Sequence, residues 1–299
     1  MLPITPTSMF FAKFNTISLI YICFIFYDAK DVEARRQARM INGEDALIEE
    51  FPSNVFILTV YKLNGTMNTD FCSGSLITPT HVLTAAHCTV FYKKTFMAFP
   101  YYWLPQNIFV RAGVATVFLR GNDYTVKRIY RHERWNVQKE LTPSSSNDIA
   151  ILELNKVVEL GPTQQIIKLP CTSPEFDAEG ILLGAGPTSS DPNTLGTMKK
   201  ATFKVVPCTN WFQFNRICVR SETVNSTPGD SGSAFIFKDR LAGIISSKPK
   251  KRDYLILTDV FTYFNWIVNI VGMPEEFADQ PWMSECQVGL QGYRIGSRT

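Results

Sequence analysis

A serine in a glycine-flanked turn is the strongest sign of chemistry in this sequence. Residues 227–233 (TPGDSGS) place Ser231 directly after Asp230, with glycines on both sides of the pair. A serine hydroxyl needs a base to take its proton, and it needs backbone N–H groups to stabilise the oxyanion that forms on a carbonyl. Glycine permits the tight turn that exposes both the serine hydroxyl and these N–H groups. Taken alone, the heptapeptide also fits an ordinary surface turn.

Two upstream segments supply the other groups that such a nucleophile requires. Residues 83–88 (LTAAHC) hold His87, and residues 146–152 (SNDIAIL) hold Asp148 at the start of an apolar run. Histidine, aspartate and serine in this chain order are the members of one acyl-transfer triad. His87 is predicted to be the general base, Asp148 its orienting and charge-stabilising partner, and Ser231 the nucleophile.

Together the three segments resemble the chymotrypsin-type (trypsin-like) serine endopeptidases, peptidase family S1, over roughly residues 40 to 272. The resemblance implies an all-β fold of two six-stranded antiparallel barrels with a C-terminal α-helix. It implies hydrolysis of peptide bonds through an acyl-enzyme. It also implies an oxyanion hole formed by the N–H groups of Gly229 and Ser231.

The pattern of short apolar runs agrees with an all-β fold rather than with βαβ units. A C-terminal helix is predicted over residues 261–271, because Gly272 and Pro274 follow it. A linker between the barrels is expected within residues 160–180. The predicted strands are 55–61, 75–77, 108–112, 149–154, 181–184, 201–206, 234–237, 241–246 and 255–260.

Composition excludes several other classes of protein. Of 299 residues, 45% are hydrophobic and 19% are charged, which is enough apolar content for a full core and too little charge for disorder. The net charge of +3 is too small to indicate nucleic-acid binding. Neither zinc-ligand spacing nor a phosphate-binding glycine loop occurs, so no metal and no cofactor is expected. Besides His87 there are only His81 and His132, for which a structural or surface role is predicted.

The N-terminus has the features of a targeting segment. Residues 17–27 (ISLIYICFIFY) form a short apolar run after Lys13, which is typical of a signal-peptide core. Residues 1–29 are predicted to be the signal, with cleavage after Ala29 or Ala34, and the protein is expected to be secreted. Retention of residues 16–27 as a membrane anchor is the alternative. Loss of Cys23 with the signal leaves six cysteines, an even number that suits an oxidising compartment.

A basic segment precedes the region of resemblance. By the logic of the family, residues 30–39 are an activation propeptide that is cut after Arg39, and residues 40–272 are the protease domain. The freed ammonium of Met40, where the family usually has isoleucine or valine, would then fold inward and pair with Asp230. An exposed basic linker is the alternative interpretation of this segment. Residues 273–299 are interpreted as a C-terminal tail.

The remaining cysteines fit the family in part. Cys72–Cys88 matches the bridge that clamps the histidine loop, and Cys208–Cys218 matches a second bridge. By elimination Cys171 is left to pair with Cys286, although Cys286 could also be free or bond another chain. The family's bridge that starts four residues before the nucleophile is absent, because Thr227 occupies that place.

The resemblance implies a primary substrate pocket that differs from that of trypsin. Asn225 stands at its base, where an acid would give a preference for Arg or Lys, and Ser246 matches the serine that supports the triad aspartate. Lys248 and Leu255 take wall positions that are commonly glycine. Small P1 residues, acidic P1 residues attracted by Lys248, or a closed pocket are the three outcomes left open. Alternatively, Lys248 belongs to a solvated basic loop.

Partners follow from the same interpretation. A polypeptide substrate and an activating protease are expected, with a protein inhibitor as a further candidate. Neither nucleic-acid binding nor stable membrane association is expected. The protein is predicted to be a monomer. Asn64 in residues 64–66 (NGT) is a predicted glycosylation site. A rival hypothesis is a non-proteolytic protease homologue that binds a protein through an obstructed substrate groove.

Overall fold

The computed structural model describes residues 43–63, 65–91, 101–136, 147–186, 196–208, 215–222, 230–249 and 252–272. Short 3-10 helices cover Ala86–Thr89, Pro105–Asn107 and Phe261–Tyr263, and an α-helix, α1, covers Phe264–Val271. The strands in these residues are Glu44–Asp45 (β1), Asn54–Leu63 (β2), Thr66–Thr78 (β3), His81–Thr84 (β4), Val90–Phe91 (β5), Tyr101–Tyr102 (β6), Ile108–Ala112 (β7), Asn122–Arg131 (β8), Ala150–Leu154 (β9), Glu179–Gly184 (β10), Lys199–Val206 (β11), Arg216–Arg220 (β12), Ala234–Phe237 (β13), Arg240–Ser247 (β14) and Leu255–Asp259 (β15).

The first barrel is a closed ring of six antiparallel strands in the order β2-β3-β4-β9-β8-β7. Its interior is filled by side chains at alternate positions, such as Val55 and Ile57 on β2 and Ile108 and Val110 on β7. Alternate residues of a strand face the same side of a sheet, so a period of two in apolar residues builds this core. Burial of these side chains is the main force that closes the ring.

The second barrel follows the order β11-β10-β13-β14-β15-β12 and is closed by pairing between β11 and β12. The short β1 pairs with the first two residues of β11 and lies outside the ring. Leu182, Phe203, Phe235 and Leu257 lie in the centre of its core. Two six-stranded antiparallel barrels followed by one helix confirm the fold class that the resemblance implied.

Six strands were absent from the predicted set, namely β1, β4, β5, β6, β8 and β12. Along β8 only Val126 is buried, and arginines stand at both ends of β12. The sequence of β8 therefore lacks a clear apolar face, while β1, β4, β5 and β6 have at most four residues, so pairing with neighbouring strands defines these elements. The predicted C-terminal helix ends at Gly272, as expected, where φ is 73°. Its first turn is a 3-10 helix instead of an α-helix.

Disulfides join Cys72 to Cys88 and Cys208 to Cys218. Cys171 is also disulfide-bonded, and its predicted partner Cys286 lies outside the described residues. So do the predicted signal and propeptide, the tail and the glycosylation site Asn64. No helix in the described part of the chain is long and apolar enough to cross a membrane.

Candidate active site

Strand pairing brings His87 and Asp148 to one edge of the first barrel. The last residue of β4, Thr84, pairs with the first residue of β9, Ala150. The 3-10 helix that carries His87 follows β4, and Asp148 lies two residues before β9, so antiparallel pairing places both at the same end of the two strands. His87 Nδ1 lies 2.8 Å from Asp148 Oδ2, and the backbone N–H of His87 donates to Oδ1 at 2.9 Å.

This geometry decides which ring nitrogen of His87 can act as a base. A carboxylate can only accept hydrogen bonds, so the proton of the neutral imidazole resides on Nδ1. The lone pair that can accept a proton therefore lies on Nε2. Since Asp148 bonds both the ring and the backbone of His87, the ring's orientation is fixed as well as its tautomer.

Asp148 is 1% exposed, and two side chains of the second barrel also donate hydrogen bonds to it. The hydroxyl of Ser246 donates to Oδ2 at 2.6 Å, and the hydroxyl of Thr258 donates to the backbone carbonyl at 2.8 Å. Burial by itself raises the pKa of Asp148, but the charge of His87 and hydrogen bonds from His87 and Ser246 outweigh it. The pKa of Asp148 therefore lies below its usual value, and the carboxyl stays ionised at neutral pH.

The residue before Asp148 adopts a conformation that few side chains accept. Asn147 has φ of 63°, in the left-handed region where asparagine is favoured. Its side-chain oxygen accepts a hydrogen bond of 3.0 Å from the hydroxyl of Tyr263. The turn that presents Asp148 is thus anchored on the 3-10 helix that precedes α1.

Ser231 lies in a turn that is held against strand β3. The backbone N–H of Ser73 donates to the carbonyl of Ser231 at 2.9 Å, and the N–H of Gly232 donates to the carbonyl of Ile245 at 3.0 Å. Ser73 follows Cys72, whose disulfide leads to Cys88, the residue after His87. Strand β3 therefore ties the turn of Ser231 to the helix of His87.

Gly232 permits this close approach of two backbones. Its φ is 79°, and a Cβ added there would lie 2.2 Å from the carbonyl oxygen of Ser73 and 2.4 Å from Oγ1 of Thr84. Both contacts are far below van der Waals distance. Any other residue at this position would have to push the Ser231 turn away from β3.

Asp230 is fully buried beneath the turn. Its Oδ1 accepts hydrogen bonds of 2.8 Å from the N–H groups of both Ala185 and Gly186. Its predicted partner Met40, the predicted cleavage site at Arg39 and the predicted oxyanion-hole residue Gly229 lie outside the described residues. The pairing of Asp230 with Met40 therefore stays a prediction.

The four predicted pocket residues differ in where they lie in the structure. Ser246 is bonded to Asp148, as described above. Lys248 is exposed just beyond the end of β14, and partial burial of its amine lowers its pKa. Leu255 is 3% exposed and packs in the core of the second barrel instead of standing open to solvent. Asn225 lies outside the described residues, so the shape of the pocket stays a prediction.

Sequence reasoning missed several residues that support the site. Ser73, Thr84 and Thr258 contact it through backbone groups, which no sequence motif marks. Asn147 had a usable signal, because asparagine before the acid at the start of a strand is compatible with a positive φ. Tyr263 had no comparable signal, since it lies 116 residues from its partner.

Ligand atoms of Cys72, His87 and Cys88 lie within 4.8 Å of one another, as in some metal sites. The two sulfur atoms are bonded to each other, however, and a disulfide offers no thiolate to a metal. The cluster is therefore the covalent anchor of the His87 helix.

The family model described as Trypsin matches residues 40–267 of this sequence. The chain belongs to the trypsin family. As a member of that family it resembles the complement C1s subcomponent of Sus scrofa, with 29% identity over 77% of this chain and 35% of the relative. It resembles trypsin of Phaedon cochleariae with 27% identity over 79% of this chain and 90% of the relative. The trypsin-family chain thus spans about a third of the length of the complement C1s relatives.

Solved structures share the fold of this trypsin-family chain. The scabies mite inactivated protease paralogue S-D1 matches with a TM-score of 0.64 and 23% identity, over 77% of this chain and 97% of that structure. HL collagenase matches with a TM-score of 0.63 and 21% identity, over 78% of this chain and 99% of that structure.

Proposed function

We propose that this protein is a secreted serine endopeptidase that is made as a zymogen and activated by cleavage after Arg39. The observation that carries the proposal is the pair of hydrogen bonds that His87 donates to Asp148, one from Nδ1 and one from the backbone N–H. That arrangement suits a general base that accepts the proton of a nucleophile at Nε2. The turn of Ser231, fixed on β3 beside the same helix, supplies the nucleophile.

In the proposed reaction, Ser231 Oγ attacks the carbonyl carbon of the substrate while Nε2 of His87 accepts its proton. The N–H groups of Gly229 and Ser231 stabilise the oxyanion of the tetrahedral intermediate. The imidazolium then protonates the leaving amine, and the acyl-enzyme is left on Ser231. Water attacks this ester with His87 again as base, which releases the acid and restores the serine.

Activation is proposed to use the segment that follows the cleavage site. That segment is tied to β11, since the N–H of Ala46 donates to the carbonyl of Met198 at 3.1 Å and Lys199 pairs with Asp45. The new N-terminus at Met40 lies six residues before this anchor at Ala46 and can reach the buried Asp230 only by folding inward. A buried ion pair of this kind costs roughly 3–5 kcal/mol when one partner is lost, which suits an inactive precursor.

Poor cleavage after arginine and lysine is expected, because the acid that binds such side chains is replaced by Asn225 and Lys248 adds a positive charge nearby. Turnover of peptide reporters that differ only in the P1 residue tests this. We expect alanyl, valyl or glutamyl reporters to exceed the arginyl one at least tenfold. Efficient cleavage of the arginyl reporter would refute this part of the proposal.

The proposed secretion is supported by the disulfide bonds and by the predicted signal peptide. Disulfide bonds are typical of proteins in oxidising compartments, which agrees with the predicted signal peptide. A polypeptide substrate, an activating protease, a protein inhibitor and glycosylation at Asn64 belong to the same proposal.

Covalent labelling tests the proposed function directly. The zymogen is cut after Arg39, the Met40 N-terminus is verified, and a fluorophosphonate probe is added. We expect one adduct, on Ser231, and none in the Ser231→Ala variant. Absence of an adduct on correctly processed and folded protein would contradict the proposed nucleophile.

A binding protein on the same fold is the second candidate, favoured by the burial of Leu255 in the barrel core at a predicted pocket position. Two relatives in fold are inactivated protease paralogues of the scabies mite. Labelling of Ser231 without turnover of any P1 reporter would support this candidate.

A further inference from the structure

A half-buried arginine lies on the face of the second barrel that supports Asp148. Arg216 on β12 pairs directly with Thr258 on β15. Directly opposed residues project from the same face, with Cβ atoms about 5 Å apart. The hydroxyl of Thr258 donates to the backbone carbonyl of Asp148 at 2.8 Å. The side chain of Arg216 therefore leaves the sheet beside the contact that holds Asp148.

The electrostatic surroundings of Arg216 agree with this position. Burial lowers the pKa of the guanidinium, and Tyr263, Asp148 and Tyr254 raise it. Arginine stays charged in proteins despite such burial. Arg216 and Asp148 therefore attract each other electrostatically, and the guanidinium supplies a permanent positive charge on the opposite barrel.

We propose that Arg216 is a positioning residue that sets the pH at which the imidazole of His87 takes up a proton. The proposal rests on the function proposed above. A fixed positive charge close to Asp148 stabilises the ionised carboxylate and repels the imidazolium. His87 consequently stays neutral to lower pH than it would with Asp148 alone, and the proposed nucleophile remains activated at mildly acid pH.

Other titratable groups lie near Asp148 and His87, and their charge states differ from that of Arg216. Burial raises the pKa of Tyr263 to about 12, so its hydroxyl is neutral at physiological pH. Lys248 is exposed beyond β14, and partial burial of its amine lowers its pKa. Burial raises the pKa of Asp259, four residues before Tyr263, while the ring of His132 contacts that of Tyr263 and has a pKa lowered by burial.

The experiment compares four full-length activated proteins, namely wild type, Arg216→Met, Arg216→Lys and Arg220→Met. Methionine keeps the aliphatic bulk of Arg216 without its charge, and lysine keeps the charge. Arg220 stands at the other end of β12 in an exposed ion pair with Asp253, so Arg220→Met removes a surface charge from the same strand. The chain has three histidines, so the ring protons of His87 can be assigned in NMR spectra with His81→Gln and His132→Gln variants.

We expect the NMR titration midpoint of His87 to rise by about half a pH unit or more in Arg216→Met, to stay near wild type in Arg216→Lys, and to be unchanged in Arg220→Met. The pH at which the rate of fluorophosphonate labelling falls on the acid side should shift in the same direction as this midpoint. An unchanged midpoint in Arg216→Met would overturn the proposal, as would an equal rise in Arg220→Met. If Arg216→Met does not fold, Arg216→Gln provides the neutral side chain for the same comparison.

The two readouts separate the failure of this inference from the failure of the proposed function. NMR titration reports the proton on His87 whether or not Ser231 reacts. A shifted midpoint without labelling at any pH would uphold the role of Arg216 and contradict the proposed nucleophile. Labelling with an unchanged midpoint would uphold the nucleophile and overturn the role of Arg216.

Discussion

Replacement of Asp148 by asparagine is expected to lower kcat for the best P1 reporter by about 10⁴-fold with little change in KM. An amide at this position can turn its NH₂ group toward the nitrogen of His87 that now lies 2.8 Å from a carboxylate oxygen. The ring would then place its proton on Nε2 and could no longer accept the proton of Ser231. Steady-state kinetics and the rate of fluorophosphonate labelling measure the loss.

Ser246→Ala is the matched control for that experiment. It removes the 2.6 Å hydrogen bond to Asp148 but keeps the carboxylate and its two bonds to His87. One hydrogen bond to a charged group contributes about 1.5–3 kcal/mol, which corresponds to a loss of roughly 10- to 150-fold. An Asp148→Asn protein within tenfold of wild type would show that Asp148 does not fix the tautomer of His87.

Gly232→Ala is expected to lower the free energy of unfolding by at least about 3 kcal/mol and to abolish labelling of Ser231. The new Cβ would lie 2.2 Å from the carbonyl oxygen of Ser73, a backbone atom that cannot rotate away. The Ser231 turn would have to leave β3, and the Ser73–Ser231 hydrogen bond would break. Chemical denaturation followed by circular dichroism gives the stability, and labelling gives the state of the turn.

Gly65→Ala separates steric overlap from backbone strain. Gly65 has φ of 83°, close to that of Gly232, but a Cβ there would meet nothing within 4 Å. Only the cost of a left-handed residue remains, about 1–2 kcal/mol. Similar losses in the two variants would mean that the contact between Gly232 and β3 does not hold the turn.

Much of the fold was accessible from apolar periodicity. Strands β7 and β13 have the bounds that the sequence predicted, because each carries apolar residues that face a barrel interior. Strand β8 could not be found in this way, since only Val126 is buried along its ten residues. It is a strand because β7 and β9 both pair with it, and such pairing is a property of the tertiary structure.

The candidate site likewise contains residues that could be predicted from local sequence and residues that could not. His87, Asp148 and Ser231 lie in local motifs, so their residue types and order could be interpreted directly from the sequence. Of the groups that hold Asp148 from the second barrel, Ser246 was implied by the family resemblance, but Thr258 was not. Arg216 lies opposite Thr258 only because β12 and β15 pair in one particular register. A shift of that register by one residue would turn both side chains to the other face.

The contacts of Asp148 connect parts of the chain that are translated far apart. Its partners lie 61 residues before it at His87, 98 residues after it at Ser246 and 110 residues after it at Thr258. Contacts of such long range form late in folding, because the chain must close large loops before the contacts can stabilise it. The proposed general base at His87 is therefore complete only after both barrels have closed, and under the proposed function a chain that is still folding cannot cleave its neighbours.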